Sequence, residues 1–442
     1  MNYINKSFLL KLSPYKITVY GIVFWLFLFI TTSFKVNHNL DFLSIFFIVI
    51  NYIFFFLGYF LFKTDSVSIN NEKLFFYDQN ILKKVLKVVL IIAIFGLLLK
   101  FFDKFYLREI SISNSVSDNR MLLSQKGPSI ISIISAIINP FSFLPLFLYY
   151  SIGEKRIKLY IICLFLFLVT IYEFLSTGSR SGIFVVILLL VIYLRYFKKI
   201  RLNLKQILLI GTGIFLLGIY SFNMFIDRTK EYTITRDRAV KHILTNAGYN
   251  FTLQPKEEAV ERIVHTKNEL SQSLKTFSLN FVQYYIHGVY EFSFLRKNYK
   301  EKFHFGAYTF NILAKFSNII FRTNFDLKKI QNSPPRIAVY ITFFGPLYVD
   351  FGWFSIFFMF FLGVYQKNVF KKILKGKVQY LPLFFYFLVI NFFMLVVNFI
   401  VVAQGIYNIV AFLLFAWFFR ILTSKIILKH KGGGYKYFRI IK

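Results

Sequence analysis

Residues 159–194 read LYIICLFLFLVTIYEFLSTGSRSGIFVVILLLVIYL, which is two apolar runs joined by one short polar turn. The runs are Leu159–Leu175 and Ile183–Leu194, and the turn is Ser176-Thr-Gly-Ser-Arg-Ser-Gly182. The first run approaches the ~20 apolar residues that a helix needs to cross a ~30 Å hydrocarbon core, and the second is shorter. The stretch therefore predicts two membrane helices that hold Arg180 at the membrane edge between them.

The same pattern recurs along the whole chain, which has 442 residues and is 57% hydrophobic. In lipid every backbone amide must be satisfied internally, which favours helices. The sequence therefore predicts an all-α polytopic membrane protein with about ten transmembrane helices. The predicted spans are about Ile17–Phe34, Asp41–Phe62, Val85–Phe101, Ser129–Ser151 (interrupted by Pro140 and Pro145), Leu159–Leu175, Ile183–Tyr196, Gln206–Ile226, Phe344–Tyr365, Tyr380–Ile400 and Gly405–Leu422.

The formal net charge of +33 does not indicate nucleic-acid binding, because the basic residues are placed according to the predicted spans. Basic residues cluster in the gaps between alternate spans, as membrane topology requires of cytoplasmic loops. With the N-terminus inside, the inner segments carry about 26 Lys and Arg and the short outer turns about six. Both termini are then cytoplasmic, and the first span is expected to be retained as an uncleaved helix.

Three regions follow from this topology. Residues 1–226 hold the first seven spans, 227–337 form one large outer loop, and 338–442 hold the last three spans and a basic cytoplasmic tail. About 110 residues is too long for a passive connection, so the loop is expected to contain helices. Gln254-Pro-Lys-Glu-Glu258 predicts a helix start. The apolar residues that should then share one face are Val260, Ile263, Val264, Leu270, Leu274 and Phe277.

Common catalytic and metal motifs are missing from the sequence. The single cysteine, Cys163, lies within a predicted span, which excludes a disulfide framework and a cysteine metal site. The sequence has no glycine-rich phosphate loop, no His-Glu-x-x-His and no Asp-x-Asp pair. These absences argue against a cytosolic transferase that uses metal-bound sugar nucleotides.

Four ionisable residues are candidates for proton transfer. His287 and His304 lie in the large loop, and a histidine near pKa 6.5 can deprotonate a sugar hydroxyl, although such residues also serve in packing. Asp350 and Glu173 lie near the ends of predicted spans, where a charge is costly unless it is paired or hydrated. Each of these two carboxylates has either a functional role or an ion pair that stabilises the structure, and the sequence leaves both possibilities open.

Arg180 and Arg336 are the candidate cations for an anionic lipid headgroup. Arg180 would share a helix face with Glu173 if the helix continued that far. Arg336 follows Ser333-Pro-Pro, where the chain re-enters the membrane. The alternative for Arg180 is an ordinary snorkelling residue at the interface. The loop as a whole is basic, with about 18 Lys and Arg against ten Asp and Glu, which would attract a pyrophosphate lipid.

Three patterns together resemble the O-antigen polymerase family, the Wzy-type oligosaccharide repeat-unit polymerases. They are Ser176-Thr-Gly-Ser-Arg-Ser-Gly182 at an outer turn, the large outer loop with Tyr284-Tyr-Ile-His-Gly288, and Gly345-Pro-Leu-Tyr-Val-Asp-Phe-Gly352 at the start of a late span. Arg336 and Gly352, with fifteen residues between them, also match an arginine-to-glycine spacing of some members. The resemblance covers the layout of most of the chain but only short motifs.

The resemblance implies a fold like that of lipid-donor (GT-C type) glycosyltransferases and O-antigen ligases. Its substrate would be an undecaprenyl-pyrophosphate-linked oligosaccharide on the outer face of the bacterial inner membrane, with no metal or other cofactor. The pyrophosphate would be bound by Arg180, Arg336, Arg228 and Ser179, which precedes Arg180. The acceptor hydroxyl would be activated by His304 or His287, or by a carboxylate such as Asp350 or Glu173. Partners would be membrane lipids, a chain-length regulator and a flippase.

Other functions remain open at this stage. A lipid-linked oligosaccharide flippase should carry charges along a central cavity and two related halves, whereas mid-span charges are few here and the halves look unalike. An O-antigen ligase is a sister enzyme with the same lipid donor. A purely structural membrane protein is the remaining alternative.

Overall fold

The computed structural model describes residues 6–30, 34–61, 79–111, 119, 121–122, 129–176, 179–197, 212, 226, 235–246, 248–337, 339–402, 404–423, 426–431 and 434–439. Most of them are helical. The helices before the large loop are α1 (Lys6–Lys11), α2 (Pro14–Ile30), α3 (Phe42–Leu61), α4 (Gln79–Phe101), α5 (Ile130–Ile138), α6 (Leu144–Ile152), α7 (Ile157–Ser176) and α8 (Arg180–Tyr196).

The remaining helices belong to the large loop and to the C-terminal third. In the loop they are α9 (Arg236–Thr245), α10 (Glu257–Val264), α11 (Glu269–Asn298), α12 (Asn311–Ile320) and α13 (Leu327–Gln331). After it come α14 (Phe344–Phe351), α15 (Ser355–Leu374), α16 (Leu381–Phe392) and α17 (Gly405–Leu422). The strands are β1 (Phe34–Val36), β2 (Leu253–Pro255), β3 (Ile426–Lys431) and β4 (Gly434–Arg439).

Six helical segments are long and apolar enough to cross a membrane, which confirms a polytopic helical membrane protein. They are Phe42–Leu61, Gln79–Leu107, Ile130–Ile152, Ile157–Ser176, Phe344–Leu374 and Gly405–Leu422. Shorter apolar helices at Pro14–Ile30, Ser181–Tyr196 and Val378–Phe392 coincide with the predicted first, sixth and ninth spans. Nearly all of the predicted seventh span, Gln206–Ile226, lies outside the described residues, so the total of ten spans stays a prediction.

The predicted ninth span, Tyr380–Ile400, is too long. Its helix ends at Phe392, and the following residues form buried turns that pair with the start of the predicted eighth span. The Phe343 amide donates to the Met394 carbonyl at 2.7 Å, and the Asn398 side chain donates to the Phe343 carbonyl at 3.1 Å. Non-helical backbone is tolerated at membrane depth where the surrounding protein satisfies it in this way.

A second correction concerns the arginine turn. Helix α7 ends at Ser176 and a new helix begins at Arg180, so Glu173 and Arg180 do not share one continuous helix face. The Ser179 amide donates to the Phe174 carbonyl at 2.8 Å, which folds the chain back on the end of α7. A Cβ placed on Gly182 would lie 2.3 Å from the Phe174 ring, so glycine allows this close return.

Close helix contacts organise the membrane domain. Helices α3 and α15 cross where a Cβ on Gly58 would lie 2.0 Å from the Phe360 carbonyl oxygen, and a Cβ on Gly363 would lie 2.2 Å from that of Phe55. Small residues at such crossings let membrane helices gain dispersion contacts that lipid would otherwise provide. Aromatic side chains, including Phe47, Phe55 and Phe344, fill the surrounding core.

Strand pairing and helix packing both tie the large loop to the membrane domain. Strand β1 pairs antiparallel with β2, with Lys35 opposite Gln254. The 30-residue helix α11 packs against α2, α3 and α14, and its Arg296 forms an ion pair with Asp41 just before α3. The loop is therefore helical, as predicted, and one of its helices is part of the core.

The predicted helix start at residues 254–258 is right to within a few residues, because α10 begins at Glu257 with two acidic residues in its first turn. The predicted continuous apolar face is divided. Val260, Ile263 and Val264 are buried together, but α10 ends there, and Leu270 in the next helix is exposed. In the C-terminal tail, β3 and β4 pair as an antiparallel hairpin, which the predicted all-α fold did not include.

Candidate functional site

Helix α11 buries a stripe of polar side chains in addition to its apolar ones. These residues recur every three or four positions and are Gln272, Thr276, Asn280, Gln283, His287 and Glu291. Burying polar groups is costly unless they are hydrogen-bonded, so such a stripe requires partners along its length. The partners come mainly from residues 236–253 and from Arg336.

His287 is the fifth of the six residues in this stripe and is 1% exposed. Its Nδ1 lies 2.8 Å from the Tyr284 carbonyl oxygen, so Nδ1 carries the proton and donates it to that oxygen. Its Nε2 is then the acceptor, and this atom is buried without a hydrogen-bond partner among the described residues. The Tyr249 ring lies 5.0 Å from the imidazole. The arrangement fixes one tautomer and leaves one ring nitrogen able to take a proton.

Burial determines the charge of this imidazole. It lowers the pKa of His287 to about 4, and the nearby Arg336 cation lowers it further, while the bonds to the Gln283 and Tyr284 carbonyls act in the opposite direction. His287 is therefore neutral at physiological pH. A neutral imidazole is the form that accepts a proton, and its basicity rises towards that of an ordinary histidine when its burial is relieved.

One turn further along α11, Glu291 pairs with Arg336. Arg336 Nε donates to Glu291 Oε2 at 3.0 Å, and Thr252 Oγ1 donates to Oε1 at 2.8 Å. The guanidinium also donates to the Gly248 carbonyl and lies 4.0 Å from the centre of the Phe251 ring. Burial raises the pKa of Glu291, and the hydrogen bonds from Thr252 and Arg336 oppose that rise. The structure thus brings together two of the predicted site residues, His287 and Arg336, around a glutamate that was not predicted.

His304 and Asp350 meet at a different place, through the backbone. The Asp350 carboxylate is fully buried and accepts from the amides of Tyr308 at 2.9 Å and Thr309 at 2.7 Å. The backbone of Val349 and Asp350 accepts the amides of His304 and Phe305. Asp350 therefore anchors the turn that carries His304, whose Nε2 is also buried without a partner among the described residues.

Glu173 is buried at the end of α7 in a cluster of cationic and amide groups. Its Oε1 lies 3.0 Å from Lys104 Nζ and 3.7 Å from Lys100 Nζ, and it accepts from Gln404 at 2.8 Å. Its Oε2 accepts from Asn139, also at 2.8 Å. Glu173 therefore brings together the C-terminal ends of α4 and α7 and the start of α17.

The other predicted pyrophosphate ligands are only partly described. Ser179 is half-buried and precedes α8, where its side chain does not cap the helix. The backbone of Arg180 begins α8, but its side chain lies outside the described structure, and so does all of Arg228. Their roles stay predictions. Within the described part of the chain, no three His, Cys, Asp or Glu side chains are grouped so that they could hold a metal ion.

The sequence did not predict Glu291, Thr252, Lys100 of α4 or Lys104, which follows α4, as site residues. Glu291 had a detectable signal, because it lies four residues after His287 on a helix whose polar residues recur at helical spacing. Lys100 and Lys104 share the same spacing at the end of an apolar run. Thr252 had no signal, since only the folded loop brings it to Glu291.

No protein-family model, no curated protein and no solved structure matches this chain. Its function has to be inferred from the residues themselves.

Proposed function

We propose that this chain is a membrane glycosyltransferase that polymerises undecaprenyl-pyrophosphate-linked repeat units on the outer face of the bacterial inner membrane, into O-antigen or capsular polysaccharide. The observation that carries the proposal is His287, a neutral imidazole with one ring nitrogen bonded to backbone and the other without a partner among the described residues, next to the Arg336 cation. A base and a cation beside each other suit transfer of a sugar from an anionic leaving group.

The proposed reaction has one bond-forming and one bond-breaking event. The acceptor hydroxyl of one lipid-linked unit attacks the anomeric carbon of the growing glycan, and its proton passes to Nε2 of His287. The bond from that carbon to the phosphate oxygen breaks, and undecaprenyl pyrophosphate leaves with the electron pair. Arg336, together with Arg180, Arg228 and Ser179, stabilises the negative charge on the leaving group.

Substrate access involves the turn of residues 248–251, which covers His287 with Tyr249. Arg336 fixes this turn through the Gly248 carbonyl and the Phe251 ring. A pyrophosphate that attracts the guanidinium would draw it away from Gly248. The turn could then move off His287 and admit the acceptor hydroxyl. Binding of the lipid donor would in this way expose the base.

A flippase for the same lipid is the second candidate. The buried charges of Lys100, Lys104 and Glu173 favour it, because ionisable groups inside a membrane domain often mark transport pathways. The two functions differ in what their loss does to the cell surface. A polymerase is needed only to extend a glycan, whereas a flippase is needed to deliver any repeat unit at all.

Deletion of the gene in its native host, followed by separation of the surface glycan by length, distinguishes them. Loss of a polymerase leaves single repeat units on the carrier or the lipid core. Loss of a flippase or of a ligase leaves none at the surface. An unchanged distribution of chain lengths would contradict the proposal.

A further inference from the structure

Helix α12 and the turn that follows it present large apolar side chains to their surroundings. These exposed residues are Leu313, Ile319, Ile320, Phe321 and Phe325. Phe321 is 75% exposed and Ile320 is 62% exposed, so in water both would forgo the stabilisation that burial of an apolar side chain provides. An exposed apolar group of this size marks contact with a membrane or with another protein.

The side chain of Asn318 holds this turn in shape. Its amide donates to the Phe325 carbonyl at 2.8 Å, and its carbonyl oxygen accepts from the Phe325 amide at 3.0 Å and from the Thr323 hydroxyl at 2.9 Å. Arg322 has a left-handed φ of 52°, which ends α12 and turns the chain back. The apolar residues 319–321 are therefore displayed by a structured turn.

The start of α12 is fixed against the membrane-spanning segment Phe344–Leu374. The Asp350 carboxylate accepts the amides of Tyr308 and Thr309, just before α12. The Phe310 ring then packs on Phe358 in the first turn of α15, with the ring centres 5.9 Å apart. Helix α12 therefore begins beside a membrane span, at the level at which α15 starts.

Exposed aromatic residues mark the membrane surface at this level. Trp353 and Phe354 lie in the 3₁₀ turn between α14 and α15, and tryptophan is enriched where a chain passes from headgroups into hydrocarbon. Phe354, Phe357 and Phe361 then form one exposed stripe at helical spacing along α15. The exposed face of α12 lies next to this stripe and continues the surface that faces lipid.

The charges around the turn suit a bilayer surface. Asp326 is the sole carboxylate in the sequence from residue 307 to residue 337, and it accepts the Lys329 amide at 3.0 Å. Arg322, Lys328 and Lys329 are exposed. Cations beside an apolar face are typical of helices that lie in the membrane interface, where they attract lipid phosphates.

We infer that α12 and its turn are an interfacial anchor that binds the lipid surface on the side of the large loop. Leu313 and residues 319–321 insert into that leaflet, and Arg322, Lys328 and Lys329 contact its phosphate headgroups. The inference goes beyond the proposed function and does not depend on it, because any bilayer supplies these partners. Helix α13 leads from the anchor towards Arg336, so the anchor holds that cation near the membrane surface.

Spin labels on the full chain in nanodiscs of phosphatidylethanolamine and phosphatidylglycerol test the inference. The labelled variants are Ile320→Cys and Phe321→Cys, which replace exposed side chains and should fold normally. Cys163 is the single cysteine of the chain and is buried, so wild type serves as the blank. Collisions of each label with oxygen, which concentrates in lipid, are compared with collisions with a water-soluble nickel chelate.

Two further labels calibrate the ratio of oxygen to nickel collisions. Phe361→Cys lies on the exposed stripe of α15 and is the lipid reference, and Lys241→Cys, from an exposed ion pair with Glu261, is the water reference. Both labels on the turn should have ratios severalfold above the water reference and similar to the lipid reference. Ratios like the water reference would overturn the inference. Shielding of both labels from both reagents would also overturn it, because a second copy or a partner protein would then cover the turn.

The cations are tested separately from the apolar side chains. Arg322→Gln/Lys328→Gln/Lys329→Gln should lower the oxygen-to-nickel ratio of the Phe321→Cys label in nanodiscs that contain phosphatidylglycerol, since fewer cations hold the turn at the headgroups. In nanodiscs of a neutral lipid the same substitutions should have a smaller effect. An unchanged ratio in both lipids would overturn the contact of these three residues with headgroups.

Discussion

Arg336 and Glu291 form an ion pair in which Nε lies 3.0 Å from Oε2, one helical turn beyond His287. The pair joins the long helix α11 to the segment where the chain re-enters the membrane. Glu291 is almost fully buried, whereas Arg336 is about one-fifth exposed. The arginine is therefore the partner that an incoming anion can reach.

This geometry predicts how the pair contributes to stability. Arg336→Met leaves the Glu291 carboxylate buried without its cation and should destabilise the protein by about 3 kcal/mol. Arg336→Met/Glu291→Gln leaves no unpaired charge and should lose much less. Thermal unfolding in detergent compares the two. If the single variant is as stable as the double variant, the two charges are not coupled.

His287 predicts a pH dependence of stability. An unfolded histidine titrates near 6.5 and His287 near about 4, so between these values the unfolded chain binds a proton that the folded chain excludes. Stability should therefore fall as pH drops from about 6.5 towards 4, by up to about 3 kcal/mol. The raised pKa of Glu291 makes its contribution to stability change with pH in the opposite direction. The measurement is the difference between wild type and His287→Gln across this range, and parallel curves would contradict the assignment.

Asp350 is expected to act as an anchor. Asp350→Asn keeps one acceptor for the Tyr308 and Thr309 amides, whereas Asp350→Ala keeps none and should lose about 2 kcal/mol or more of stability. Activity should follow the amount of folded protein in both variants. An Asp350→Asn protein that folds normally but makes no polymer would instead give this carboxylate a role in catalysis.

Much of the membrane domain could be predicted from the sequence, because its physical cause is local. Apolar runs of sufficient length have to be helices in lipid, and the proline pair in the predicted fourth span marks the 3₁₀ turn Asn139–Phe143 between α5 and α6. The predicted end of the ninth span was wrong because it depends on contacts that are distant in sequence. Residues after Phe392 are apolar enough for a helix, but their amides and carbonyls pair with residues 342–343, which no local pattern records.

In the candidate site, too, features with a local cause could be predicted and features that depend on distant contacts could not. His287 and Arg336 were found because a histidine in an outer loop and an arginine at re-entry have recognisable chemistry. Their common neighbour Glu291 was not, since it is one of many charges in a basic loop until the fold buries it. Glu173 was expected to share a helix face with Arg180 only if the helix continued that far, but the helix ends at Ser176. Its cations are Lys100 of α4 and Lys104 just after it, about seventy residues earlier in the chain, and no local pattern records that contact.

The crossing of α3 and α15 predicts a steric effect far from the site. Gly363→Ala would place a Cβ 2.2 Å from the Phe55 carbonyl oxygen, so the helices must separate. We expect a loss of about 1–3 kcal/mol in stability. Gly248→Ala is the matched control for steric contact, because a Cβ there meets nothing within 4 Å and its φ is not left-handed. Equal stability of Gly363→Ala and wild type would mean that the helices are not in close contact.

The central claim is that His287 is the base of a glycan polymerase. The most direct measurement complements the deletion strain with His287→Gln and separates the surface glycan by length, at membrane abundance matched to wild type. His242→Gln, an exposed histidine of the same loop, serves as the control. Loss of a general base should slow polymerisation by about 10²-fold or more, leaving mainly single repeat units, while the control restores long chains. Wild-type chain lengths from His287→Gln would contradict the claim.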